Sequence, residues 1–185
     1  MATALVIVPG LGNSGPDHWQ SHWQRAYPGA LRVEQSDWQH PSLRDWIDTL
    51  DATVRNAGAP AVIAAHSLGC ALLAHWATLR GTARANVRGA LLVAPADVDS
   101  PERTPPQTRD FAPMPKQKLP FPARVVASEN DPFVAFARAR ALAEAWGADF
   151  VSAGKEGHLN AASGLGAWPK GQAELCALLG TDSLE

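Results

Sequence analysis

Cysteine is scarce in this chain, with only Cys70 and Cys176 among 185 residues. Neither has the CxxC or Cys/His spacing of a metal site, so neither a disulfide framework nor a thiolate-held metal organises the fold; both are expected as reduced core residues. No apolar run approaches the about 20 residues that a membrane-spanning helix needs. Charge of one sign is not in excess either, since 16 Lys and Arg stand against 18 Asp and Glu for a net charge of -2. That balance provides no broad basic field for nucleic acid or an anionic membrane and fits small-molecule partners better. The opening Met1-Ala2-Thr3-Ala4-Leu5-Val6-Ile7-Val8-Pro9-Gly10 lacks a basic n-region, and its short apolar run ends in a glycine loop rather than a cleavage site. This points to a cytoplasmic location. No internal repeat or low-complexity block occurs.

What is present is an alternation. Short aliphatic or β-branched runs at 4–8, 30–35, 61–66, 89–94, 123–128 and 149–152 alternate with amphipathic stretches, predicting a three-layer αβα sandwich around a mainly parallel six-stranded sheet. Pro16 is expected to open a helix near 16–26, and Ser42-Leu43-Arg44-Asp45 resembles a capping box for a second that Gly58 closes. Further helices are expected from Ser67 to Gly81, over about 134–146 up to Gly147, and from Pro169 to Gly180. With 46% hydrophobic residues, the chain 1–185 can bury one good core, which predicts a single domain without a separate cap. Segment 95–122 holds eight of the fifteen prolines, a density that forbids a helical lid. Whether it covers a site or lies against another subunit is left open, as is the choice between monomer and homodimer.

The most informative stretch is Ala61-Val62-Ile63-Ala64-Ala65-His66-Ser67-Leu68-Gly69-Cys70, an apolar strand running into a serine with a helix directly behind. This is the sequence form of a nucleophile elbow, with Ala65 in the place of the first glycine of GxSxG. The sharp turn pushes the serine toward a sparsely allowed backbone region, so small residues are required on both sides.

Open parallel sheets bind ligands at the carboxyl ends of their strands, and polar residues collect there. Pro9-Gly10-Leu11-Gly12-Asn13-Ser14-Gly15 follows the first candidate strand, Ser67 the third, Glu129-Asn130-Asp131-Pro132 the fifth and Gly157-His158-Leu159-Asn160 the sixth. In chain order these supply serine, aspartate and histidine, the order of the α/β-hydrolase triad. A serine hydroxyl needs a neighbouring base, and His158 is the candidate. Asp131 is the expected acid, because Asp-Pro after a strand presents a carboxylate on a turn; Asp97 is its rival. His66 should point to the opposite side of the strand end from Ser67. His75 falls within a helix, and His18 and His22 share a helix face as rim or surface residues without a third metal ligand.

The backbone amides of Leu11 and Leu68 are candidate oxyanion donors. The glycines of the first loop do not match a phosphate-binding GxGxxG and no GK[ST] follows, so no nucleotide or other cofactor is expected. Gly10, Asn13, His18, Trp19, His66, Asp97 and Pro132 are candidates to line the substrate pocket. Of seven tryptophans, Trp46, Trp76 and Trp146 sit at core-facing helix positions, whereas Trp19, Trp23 and Trp38 leave the carboxyl edge of the sheet. Trp19 is equally a wall of the pocket or a packing residue.

Together, Val8-Pro9-Gly10-Leu11-Gly12, Trp19 and Trp23, Ala65-His66-Ser67-Leu68-Gly69, Ala94-Pro95-Ala96-Asp97, Ala127-Ser128-Glu129-Asn130-Asp131-Pro132 and Gly157-His158-Leu159-Asn160 carry a resemblance. The chain resembles, almost end to end, the RBBP9/YdeN-like serine hydrolases, a compact branch of the α/β-hydrolase fold. The resemblance implies a triad of Ser67, Asp131 and His158, and a reduced sheet, without the first antiparallel strands of larger hydrolases, in the order 2-1-3-4-5-6. It supplies no substrate. The LxCxE motif of members that bind a retinoblastoma protein is absent, so that partner is not expected. The expected function is hydrolysis of a small acyl ester, thioester or amide through an acyl-enzyme, the shallow pocket following from the lack of a cap. Transfer to an acceptor other than water, or a non-catalytic protein-binding module on the same scaffold, are the alternatives.

Overall fold

A computed structural model describes residues 3–80 and 86–183. Its sheet runs β1 (Ala4–Val8), β2 (Leu31–Arg32), β3 (Ala61–His66), β4 (Val87–Val93), β5 (Ala123–Ala127) and β6 (Asp149–Ser152), in the spatial order β2-β1-β3-β4-β5-β6. Every neighbouring pair is parallel. The helices are α1 (Trp19–Ala26), α2 (Leu43–Arg55), α3 (Leu68–Leu79), α4 (Phe136–Trp146) and α5 (Pro169–Leu179). The expected fold class is therefore the observed one.

Strand periodicity explains the layers, because successive side chains leave opposite faces. Val6, Val8, Ile63, Ala65, Leu92 and Val125 join one buried cluster with Trp46 and Leu50 of α2, Leu72 and Trp76 of α3, and Leu142 and Trp146 of α4. Leu5, Ile7, Val62, Ala64, Leu91, Val93 and Val126 face the other way, onto Trp19 and Trp23 of α1 and Leu175 of α5. Both faces are covered, which is why β1 and β3 read as continuous apolar runs rather than alternating ones.

Several expected boundaries move, each for a local reason. The strand expected over 30–35 pairs only at Leu31–Arg32, with one further bond from Val33 N–H to the Ile7 carbonyl, 2.9 Å. It lies at the sheet edge, where short strands are the rule. Pro16 does not open α1; His18 caps it, its ring accepting from the Gln20 N–H. Ser42 does cap α2, and Gly147 and Gly180 close α4 and α5 in the left-handed conformation. The α2 helix ends at Arg55 with Asn56 as its cap, before Gly58. Gly81, the expected end of α3, lies outside the described residues. Segment 95–122 forms no α-helix, but it does contain a 3-10 turn over Pro106–Phe111. Arg109 ties that turn inward, with Nη1 donating to the Val98 carbonyl at 2.7 Å and Nη2 to the Ser100 carbonyl at 3.1 Å.

Candidate active site

Ser67 occupies the turn between β3 and α3 at φ 56°, ψ -121°, outside the regions that a serine ordinarily adopts. The close packing around it needs missing side chains. A Cβ on Gly69 would stand 2.5 Å from the Val8 carbonyl oxygen, and one on Gly10 would stand 2.9 Å from the Ser67 Cβ. Gly10 thus brings the first loop against the serine, a role that its place after β1 hints at.

His158 lies within a loop of uncommon backbone, between Gly157 at φ 62° and Leu159 at φ 50°. Two carbonyls anchor that loop from below: His66 Nε2 donates to the His158 oxygen at 2.9 Å, and Trp19 Nε1 to the Leu159 oxygen at 2.9 Å. A further lace joins it to the loop after β5, where Asn130 Oδ1 accepts from the Gly157 N–H and the Ser128 hydroxyl, each at 2.8 Å. So held, His158 places Nε2 2.8 Å from the Ser67 Oγ and Nδ1 2.9 Å from an Asp131 oxygen. The Asp131 side chain is fully buried, and its other oxygen accepts from the Phe133 N–H at 2.8 Å. A carboxylate only accepts, so Nδ1 carries the imidazole proton and Nε2 is left bare toward the serine hydroxyl.

Asp97, the rival acid, is turned away. It pairs with Arg138 Nε at 3.2 Å, while Asp99 takes Arg138 Nη2 at 2.6 Å. Cys70 is no competing nucleophile, since burial raises its thiol well above the ordinary range.

A cavity of about 350 Å³ opens beside the serine. Leu11 and Leu68 line it, and among the described residues no acceptor takes either backbone N–H. The loop bearing Leu11 is braced by a buried network. Gln20 Nε2 donates to the Val8 and Ala64 carbonyls at 3.1 and 2.9 Å, and its Oε1 accepts the Ser14 hydroxyl at 2.6 Å. The role of Gln20 has no signal in the sequence, because a glutamine on a helix face carries no motif.

The pocket candidates divide. Gly10, Asn13, His18 and His66 line the cavity; Trp19, Asp97 and Pro132 do not. Trp19 is wholly buried beneath the His158 loop, and Pro132 faces an adjoining hollow that shares Phe133, His158 and Asn160 with the cavity. His66, expected on the opposite side of the strand end from Ser67, lines the same cavity, because β3 ends at His66 and Ser67 leaves the extended backbone at φ 56°, where alternation stops. His18 is also corrected, from rim to interior, at 4% exposure. Burial, and then the charges of Arg32 and His158, push its pKa down to about 3, and burial pushes His66 well below the usual histidine range. Ala96, Thr104, Pro105, Thr108, Phe133 and Asn160 complete the wall. Ala96 and Asn160 belong to the motifs Ala94-Pro95-Ala96-Asp97 and Gly157-His158-Leu159-Asn160, the other four carry no sequence signal, and segment 95–122 does cover part of the site through its threonines. Among the described residues no cluster of three or more His, Cys, Asp or Glu could hold a metal ion, and no helix is long and apolar enough to cross a membrane.

A parallel sheet in this order, with a strained serine at the β3–α3 turn, defines a hydrolase of the α/β-hydrolase fold. The family follows from sequence. The family model described as "Serine hydrolase" matches residues 5–177, and the chain belongs to that family. Among solved structures it is similar to a YdeN-like hydrolase from Pectobacterium atrosepticum, with 31% identity over 97% of this chain and 91% of that one, at a TM-score of 0.84. The ydeN gene product of B. subtilis shares 20% identity over 98% and 100% of the two chains, with a TM-score of 0.73. Est1E of Butyrivibrio proteoclasticus shares the fold at 14% identity, covering 97% and 86%, with a TM-score of 0.69. No curated protein matches the chain.

Proposed function

We propose that the chain hydrolyses small acyl esters, thioesters or amides through an acyl-enzyme on Ser67. The observation carrying this reading is the continuous relay from the Ser67 Oγ through both ring nitrogens of His158 to the buried Asp131. As Oγ attacks the acyl carbon, its proton passes to His158 Nε2, and Asp131 stabilises the resulting imidazolium. The carbonyl oxygen takes up the negative charge and accepts from the Leu11 and Leu68 amides, which require no reorganisation because Gln20 and Gly10 fix the loop of Leu11 and Leu68 opens α3. His158 then gives its proton to the departing oxygen, sulfur or nitrogen. Water, deprotonated by the same nitrogen, adds to the acyl carbon, and His158 returns that proton to Ser67 Oγ as the acyl bond breaks.

A cavity of about 350 Å³ sits at the small end of ligand sites and supports short acyl groups over long lipids. Reaction with a fluorophosphonate tests the mechanism. Wild type is expected to take up one label and Ser67→Ala none, with both folded by circular dichroism. Equal labelling of the two, or none of either, overturns it.

A further inference from the structure

Two hollows at the strand ends meet on one side chain. Phe133 lines both the cavity beside Ser67 and an adjoining, more open one of about 420 Å³. Its backbone groups are spent inward, the N–H on Asp131 Oδ1 at 2.8 Å and the carbonyl on the Asp97 N–H at 3.0 Å. What the residue presents to the two spaces is therefore its ring. That ring is partly exposed, and its centroid stands 4.5 Å from that of the His158 imidazole, with the planes inclined at 58°. Apart from the histidines it is the one aromatic ring on the cavity wall among the described residues.

The surroundings suit a neutral, apolar occupant. On the cavity side, Ala96 and Pro105 stand with two threonines whose hydroxyls are already engaged: that of Thr104 donates to the Asp97 and Ser100 carbonyls and that of Thr108 to the Pro105 carbonyl, while both oxygens accept from Arg109 Nη1. On the far side of Phe133, the open hollow has one exposed cation and one exposed anion, Lys155 and Glu156, and so selects neither sign. An aliphatic group laid on the Phe133 ring gains the area it buries, whereas an aromatic group gains an offset or edge-to-face arrangement as well.

Proton transfer decides which part of a substrate meets this ring. The leaving atom takes its proton from His158 Nε2, so it must come within hydrogen-bond reach of that nitrogen. A ring packed against the same imidazole is then within contact distance of the groups that the leaving atom carries. Resting on the hydrolase reading above, we propose that Phe133 is the floor of the leaving-group subsite and selects substrates whose leaving group is neutral and carries an aromatic ring a short link from the leaving atom.

Two acetate esters allow the test by acid release in a pH-stat. 2-Phenylethyl acetate and 2-cyclohexylethyl acetate share the acyl group, and the ethylene link insulates the leaving oxygen from either ring. Wild type is expected to cleave the phenyl ester with kcat/KM about fivefold above the cyclohexyl ester, the scale of one aromatic pair. Buried area alone predicts the opposite order, since the saturated ring is the more apolar. Phe133→Leu should bring the two esters level, and Phe133→Tyr should keep the preference. Any support that the ring gives to His158 acts on both esters alike, so their ratio is a readout that a purely structural role would not move. A wild type that cleaves the cyclohexyl ester as well as the phenyl ester, or a ratio that Phe133→Leu leaves unchanged, overturns the proposal, and the first comparison decides even if that variant does not fold. Should fluorophosphonate labelling fail, the hydrolase reading falls separately. The subsite is then judged by saturation-transfer NMR of 2-phenylethyl acetate on Ser67→Ala with and without Phe133→Leu, where equal transfer to the phenyl protons overturns it and a loss with the second substitution upholds it.

Discussion

Gly10 and Asp131 carry most of the positional logic at the level of single residues. A Cβ at position 10 would press on the Ser67 Cβ at 2.9 Å and on the His66 oxygen and Leu68 nitrogen, each at 3.1 Å. Gly10→Ala is therefore expected to displace Ser67, the proposed nucleophile, and the Leu68 amide, a proposed oxyanion donor, together. Since misplacements well below 1 Å already matter, kcat/KM should fall roughly tenfold to a hundredfold with the fold intact, as steady-state kinetics and circular dichroism on one sample would register. The two acids are separable in the same way. Asp131→Asn reverses the preferred tautomer of His158, with an expected loss in kcat of about 10⁴. Asp97→Asn only weakens a contact to Arg138, 3.2 Å long, so kcat should remain within a few-fold. Equal losses in the two variants would return Asp97 to the relay. The sequence ranked these acids by the Asp-Pro turn; what settles the geometry is that Arg138, on α4, draws Asp97 aside.

Elements differed in how far they could be read from the sequence. Strands β1 and β3, the start of α2 and the ends of α4 and α5 follow from aliphatic runs, a serine cap and two glycines in the left-handed conformation. Their signals are local. The Pro-rich 95–122 segment offers no periodicity, so its 3-10 turn and its place on the cavity were illegible. That segment is pinned by Arg109, which reaches the Val98 carbonyl at 2.7 Å, the Thr104 hydroxyl at 2.9 Å and the Ser100 carbonyl at 3.1 Å. Asp110 joins it to α2 by accepting the Leu43 N–H at 2.6 Å. Arg109→Ala removes the donor to the Val98 carbonyl and the ties to Ser100 and Thr104, and frees the wall formed by Thr104, Pro105 and Thr108. KM should rise severalfold and more than kcat changes, and a hydrogen-exchange measurement should find faster exchange over 98–112. Unchanged exchange would mean that the prolines and the Asp110 tie to α2 hold the segment without Arg109.

For the whole molecule, two buried neutral histidines make stability depend on pH. His18 titrates near 3 in the folded chain and His66 also lies well below its ordinary value, against 6.5 for an unfolded histidine. Below about 6.5 the unfolded chain binds more protons than the folded one, so stability is complete above that pH and declines as pH falls, down to about 3 for His18. Thermal unfolding at pH 7.5, 6 and 5 should give a falling Tm, and His18→Asn should flatten the fall. A slope unaffected by this variant would assign the loss to other groups.

The sequence by itself determined the alternation of strands and helices, the serine turn and the loops that carry Asp131 and His158, because each is written in neighbouring residues: a run, a cap, a glycine, a short motif. Sheet order and family came through the resemblance those motifs carry. Only the tertiary structure decided that His66 and Trp19 support the His158 loop, that Gln20 braces the loop of Leu11, that His18 is buried rather than at the rim, and that threonines from the Pro-rich segment wall the cavity. These facts join residues far apart in the chain, as Trp19 and Leu159 are, 140 positions apart. A spacing pattern has no access to such pairs, since they exist only after the parallel sheet has brought its strand ends to one edge.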